Sequence, residues 1–248
     1  MAKKLSKKDL KVSEDEFFST MEKIIVFGKE NRNILIQSAV IVLVIAIITF
    51  AYITYRNNLN STALSQEITA QKKYDEAVNA MLQTRQSQTE QPSDEQIKTK
   101  LNEATTEFEK VVQEYSSSSV APEAYLYLAN CYYYSGDYVK AMENFKKITA
   151  NYPRHLEYVS ALVGTAYCYE QQSNYKDAIT TFEKILNETA NTQVKVDSYL
   201  GIARNFELQD QKDKAIEIYE KIVKNFQPEY YGVDIAHGRL DDLKNPMS

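Results

Sequence analysis

GDYVKAMENFKKI (Gly136–Ile148) is followed 37 residues later by SNYKDAITTFEKI (Ser173–Ile185). Tyr138 recurs as Tyr175, Ala141 as Ala178, Phe145 as Phe182 and Ile148 as Ile185. Stepping by 37 in both directions extends the series. The small position reads Ala104, Ala141, Ala178, Ala215; the aromatic position reads Phe108, Phe145, Phe182, Tyr219. The aliphatic position reads Val111, Ile148, Ile185, Ile222, and Lys110, Lys147, Lys184 and Lys221 align beside it. Four gapless registers at one period mean stacked supersecondary units.

The segments before these helices agree too. Tyr125, Leu128, Ala129 and Tyr132 are matched by Leu162, Thr165, Ala166 and Tyr169, then by Tyr199, Ile202, Ala203 and Phe206. Each set is one apolar stripe at helical period. The turns SGD, QSN and QDQ separate the two stripes of each unit. Each unit is therefore expected to be a helical hairpin with Ala where the helices approach. One hairpin cannot bury its apolar face alone, so a neighbour must supply the other wall.

The order Tyr125, Leu128, Ala129, Tyr132, Gly136, Ala141, Phe145, Ile148, Pro153 resembles the tetratricopeptide repeat. The resemblance implies an all-α solenoid of about four hairpins. The chain departs from that family in its period, 37 against 34, and in lacking the turn Gly and closing Pro in its third and fourth units. The first unit is irregular. Its second helix should start at Ser93, with Gln96 completing a capping box. Its first helix is expected around Gln66 to Leu82, with Ile68, Tyr74, Ala77, Val78 and Met81 as the stripe; TRQSQTEQPSD between them reads as a mobile loop. GVDIAHGRLDDLK, with Ile235, Ala236, Leu240 and Leu243 on one face, is expected to cap the solenoid.

Ile34 to Tyr55 reads ILIQSAVIVLVIAIITFAYITY, without a charge. As a helix it is ~33 Å long, against ~30 Å of bilayer hydrocarbon. A core helix would show a polar face, and this one has none. A signal peptide would be shorter and end in a small-x-small site, so the segment reads as an uncleaved anchor. Lys3, Lys4, Lys7, Lys8, Lys11, Lys23, Lys29 and Arg32 precede it, and only Arg56 closely follows. The positive-inside rule puts the N-terminus in the cytoplasm. The expected organisation is a cytoplasmic tail at 1–33, a span at 34–55 and an extracytoplasmic repeat domain at 56–248. The repeats fall at about 62–116, 122–153, 159–190 and 196–227, with the cap at about 231–244. In the tail, Ser13 and Glu16 have capping-box spacing, and Phe17, Met21, Ile24 and Ile25 share a face. That face suits a helix lying on the inner leaflet or a docking face for a membrane partner.

Chemistry is not expected. The net charge of −5 argues against nucleic acid. His155 and His237 lie far apart, and no Cys, His or acidic cluster has metal-ligand spacing. No phosphate loop or nucleophile elbow occurs. No catalytic, cofactor-binding or metal site, and no small-molecule substrate, is predicted. Cys131 and Cys168 are one period apart, about a helix spacing, too far for a disulfide.

The family resemblance implies that the first helix of each hairpin lines a protein-binding groove. Carried over by register, the groove positions are Leu126, Asn130, Tyr133 and Tyr134, then Val163, Tyr167, Glu170 and Gln171, then Leu200, Arg204 and Glu207. The Lys/Asn set that clamps a C-terminal carboxylate in some family members does not recur. Tail, span and repeats together resemble the YfgM-type ancillary subunits of the bacterial Sec translocon. That resemblance implies a single-pass inner-membrane protein whose partners are translocon subunits, a periplasmic chaperone or exported clients. An envelope organiser of the YbgF/CpoB kind is the alternative, but Leu64 to Leu82 is too short and irregular in heptads for that class's coiled coil.

Overall fold

The computed structural model describes residues 7–86 and 93–245, with side chains at 18–83 and from 93 onward. Among the described residues the chain is all-helical. The helices are α1 (Lys7–Glu30), α2 (Arg32–Gln86), α3 (Asp94–Glu114), α4 (Ala121–Tyr134), α5 (Tyr138–Asn151), α6 (Glu157–Gln171), α7 (Tyr175–Glu188), α8 (Thr192–Leu208), α9 (Lys212–Asn225) and α10 (Val233–Lys244). They form two compact units, one ending at Asn58 and the other beginning at Leu59.

In the first unit Phe18, Met21, Ile24, Ile25 and the apolar residues from Ile34 to Tyr55 are exposed. The N-terminal part of α2 is long and apolar enough to cross a membrane, by length and composition. Helix α1 begins at Lys7, so Ser13 lies inside it rather than at its cap. Phe17 falls outside the described side chains.

The second unit is a solenoid in which α3 to α10 each pack on the next, and α4 also meets α6. The 37-residue registers are its core. Ala104, Ala141, Ala178 and Ala215 have no exposed surface, and Val111, Ile148, Ile185 and Ile222 have none either. Phe108, Phe145, Phe182 and Tyr219 are buried between successive hairpins. Burying one such aromatic stabilises by roughly 2–3 kcal/mol. The aligned lysines stay outside. Lys147 lies over the Tyr125 ring and Lys221 over Tyr199; Leu162 occupies the equivalent place between them, and Lys184 turns to Tyr158 instead.

The three turns share one geometry despite their different sequences. Gly136 N–H donates to Tyr133 O and Asp137 N–H to Tyr132 O. Ser173 and Asn174 repeat these bonds to Glu170 and Tyr169, and Asp210 and Gln211 repeat them to Glu207 and Phe206. This double bond ends a helix through a left-handed residue. Gly136 takes φ 82°, and Ser173 and Asp210 adopt left-handed φ of 57° and 56°.

The first hairpin corrects the expected stripe. Its first helix is the C-terminal part of α2. Ile68 is 56% exposed, and Tyr74, Val78 and Met81 are half-buried. The buried residues are Ala63, Glu67, Ala70, Ala77 and Ala80. Small side chains let this helix approach its neighbours closely, so the larger ones move to the flanks. Ser93 does form the expected capping box: Gln96 N–H donates to Ser93 Oγ, and Ser93 N–H to Gln96 Oε1. Of the loop that follows α2, residues 87–92 lie outside the described residues. In α10 Ala236 and Leu240 are buried as expected and Leu243 packs against the same cluster, whereas Ile235 is exposed and Val233 is buried in addition.

Candidate functional site

Helices α4, α6 and α8 are the first helices of successive hairpins, and their shared face carries a cavity of about 460 Å³. That volume lies within the range of ligand-binding clefts. Leu126, Asn130, Tyr133 and Tyr134 of α4 line it with Val163 and Tyr167 of α6. The other five candidate positions lie elsewhere. Leu200, Arg204 and Glu207 line a separate cavity of about 490 Å³ with Tyr219, Ile235 and Arg239. Glu170 is held by Arg204, and Gln171 is exposed at the end of α6, lining neither.

The rings of the first cavity support one another. Tyr133 packs edge-on against Tyr134 at 5.8 Å and against Tyr138 at 5.4 Å. Tyr167 packs edge-on against Phe182 at 5.7 Å. Aromatic pairs in these geometries are mutually attractive beyond their burial. Burial pushes the Tyr133 hydroxyl up to about 12 and the Tyr167 hydroxyl up as well, so both remain neutral donors. Tyrosines held this way offer broad amphipathic contacts at low entropy cost.

The floor was not foreseen. Phe145 reaches it because Gly164 has no side chain: a Cβ there would lie 2.3 Å from the ring. Gly201 stands in the same relation to Phe182 one period later, at 2.5 Å. In α4 the equivalent position is Tyr127, whose ring instead stacks on Phe108 at 5.4 Å. A helix-interior glycine in a chain with only six was the available signal. Val159, Ser160, Val194 and Asp197 also line the cavity. They sit one turn before the family's pattern positions and so escaped it, although Glu123, Ser160 and Asp197 share a register.

Toward α8 the face becomes ionic. Arg204 makes a forked bond to Glu170, with Nη2 at 2.9 Å from Oε2, and lies over the Tyr167 ring. Asn205, fully buried, donates to the same Glu170 Oε2 at 2.6 Å and to Gly201 O at 2.8 Å. Arg239 then bonds Glu207, which also accepts from the Tyr219 hydroxyl at 2.6 Å. Cys131 and Cys168 are buried and unbridged, and burial pushes both thiols up to about 12. They are inert packing groups. Among the described residues no three Cys, His or acidic side chains are placed to hold a metal ion.

Several solved structures are similar to the chain. A tetratricopeptide repeat protein from Parabacteroides merdae is 11% identical with a TM-score of 0.48, over 70% of this chain and 60% of that one. A thermophilic TPR protein of Thermus thermophilus is 16% identical with a TM-score of 0.46, over 70% of this chain and 80% of that one. This chain thus spans less than two thirds of the Parabacteroides protein. No curated protein matches it. The family profile described as the tetratricopeptide repeat protein 21 N-terminal ARM repeat matches residues 91–231, more than half of the chain and all of α3 to α9. By that match the chain belongs to the tetratricopeptide repeat protein 21 N-terminal ARM repeat family.

Proposed function

We propose that this chain is a membrane-tethered, non-enzymatic module that holds a segment of a partner protein on the α4–α6–α8 face. The carrying observation is the tyrosine-lined cavity of about 460 Å³. Tetratricopeptide repeats generally act as non-enzymatic scaffolds for protein partners. The apolar Ile34–Tyr55 segment supplies the tether, and the basic residues before it orient the N-terminus to the cytoplasm. The repeats then lie outside a bacterial inner membrane. The order of tail, span and repeats resembles the YfgM-type translocon subunits. On that resemblance the occupants are translocon subunits, a periplasmic chaperone or exported clients.

The test is in-cell photocrosslinking from positions 133 and 167, with the adducts identified by mass spectrometry. Adducts to Sec subunits, exported clients or a periplasmic chaperone are expected. Adducts to cell-wall or outer-membrane machinery would replace the translocon assignment with the organiser one. Adducts from neither position would overturn the groove itself.

A further inference from the structure

The buried and half-buried acids of the solenoid fall into two sets. Glu107, Asp137, Glu170 and Glu207 each pair with Lys or Arg. Glu67, Glu123, Glu157 and Asp197 do not: among the described residues no Lys or Arg reaches ion-pair distance of any of them. Glu67, on α2, is 3% exposed, and its Oε1 has no hydrogen-bond partner. It lies within electrostatic reach of Glu123 in the first turn of α4, as does Glu157 in the first turn of α6. Asp197 continues the row on α8 and lines the cavity, with only Gln193 donating to it at 2.9 Å. Burial pushes Glu67 up to about 7 and raises Glu157 and Asp197. These are signs of carboxyl groups without a Lys or Arg counter-charge, His155 lying near Glu157.

The helix starts explain part of this row, since carboxylates favour the positive end of a helix. They do not explain Glu67, which lies inside α2. Asp197 lines the cavity, and Glu123 and Glu157 lie in the first turns of α4 and α6, whose later turns line it; these carboxylates do not converge on a point, and no three acids are placed to hold a metal ion among the described residues. A cation on a flexible stem fits that spacing, and a lysine or arginine has such a stem.

We infer that the cavity takes a protein segment in which an aliphatic or aromatic side chain stands within a few residues of Lys or Arg. The apolar side chain enters between Tyr133 and Tyr167, and the basic one meets Asp197 at the cavity or the half-buried Glu123 and Glu157 in the first turns of α4 and α6. This rests on the groove reading above and adds the chemistry of the occupant.

The experiment selects a phage-displayed random dodecapeptide library on the full chain in detergent micelles. The enriched peptides are then titrated by fluorescence anisotropy against the wild type, Glu123→Gln/Glu157→Gln and Tyr133→Leu. Enrichment of Lys or Arg near an apolar residue is expected, with Kd rising on the order of tenfold in the Gln double variant. Kd should also rise with added salt on the unaltered protein, a readout independent of any variant's folding. Neutral or acidic peptides that ignore the Gln substitutions and salt but are lost with Tyr133→Leu would overturn this inference and leave the groove standing. Peptides indifferent to every variant, or no enrichment, would overturn both.

Discussion

The two ends of the α4–α6–α8 face share a backbone and differ in chemistry. At three registers the residues change along the solenoid: Asn130, Tyr167, Arg204; then Cys131, Cys168, Asn205; then Tyr133, Glu170, Glu207. The first members leave a tyrosine-walled cavity. The last members pair their charges, Arg204 with Glu170 and Arg239 with Glu207, around the second cavity. The core registers beneath stay buried throughout. The repeat thus separates what holds hairpins together from what they display, and few positions switch a receptive surface to a self-satisfied one.

The largest effect comes from breaking the shared part. Phe145→Ala and Phe182→Ala should each destabilise the chain by about 3–5 kcal/mol, read as a shift in urea midpoint in detergent micelles. Each removes a buried ring between hairpins. If Phe145→Ala costs far less than Phe182→Ala, the cavity above Phe145 is relaxing to fill the void, and the two ends differ in core as well as surface.

Next comes the ionic end. Arg204→Ala should cost about 2 kcal/mol, because Glu170 is left almost buried with only Asn205 as donor. Arg204→Leu combined with Glu170→Gln should recover most of the loss, since no charge is then stranded. A double-mutant cycle measures the coupling. An Arg204→Ala variant as stable as wild type would mean that the pair is ornamental and that the contrast between the ends is one of appearance.

The receptive end predicts a pH dependence. Glu67 titrates near 7 in the folded chain against 4.5 otherwise, raised by burial and then by Glu123. Folding therefore favours the protonated acid. That contribution is complete below about pH 4.5 and is lost as pH rises through 7. Glu67→Gln should match wild-type stability at pH 4 and exceed it at pH 8, by on the order of 1–2 kcal/mol after solvent screening. Equal stability at both values would show that Glu67 already has a counter-charge.

What was legible in the sequence followed the period. Ala141, Phe145 and Ile148 recur because every hairpin solves the same packing problem. The helix-period stripe placed Tyr74 and Ala77 on the packed face of α2 but missed Ala63, Glu67, Ala70 and Ala80, which a search for large apolar residues passes over. Six of the eleven groove positions share the first cavity, since α4 and α6 keep the family register there. Glu170 and Arg204 occupy receptive registers too, and only the three-dimensional approach of one helix to the next reveals that they neutralise each other. Gly164 was visible as a letter, but its meaning lay in a ring on another helix.

The smallest effect concerns the turns, where sequence and geometry part most clearly. Gly136, Ser173 and Asp210 occupy one register and all adopt positive φ. A glycine loses nothing there, whereas a residue with a Cβ is strained by about 1 kcal/mol. Substitution by glycine also adds backbone entropy to the unfolded chain, which offsets part of the gain. Ser173→Gly and Asp210→Gly should therefore each stabilise by no more than about 0.5–1 kcal/mol, and Gly136→Ala should destabilise by about 1 kcal/mol. Thermal midpoints of the three variants measure this directly. Stabilisation at 173 and 210 would mean that the third and fourth units tolerate a costlier residue because the two turn hydrogen bonds and the packed hairpin impose the conformation. Destabilisation at both would mean that the Ser173 and Asp210 side chains contribute contacts of their own, and that these two turns are different solutions rather than strained copies of the first.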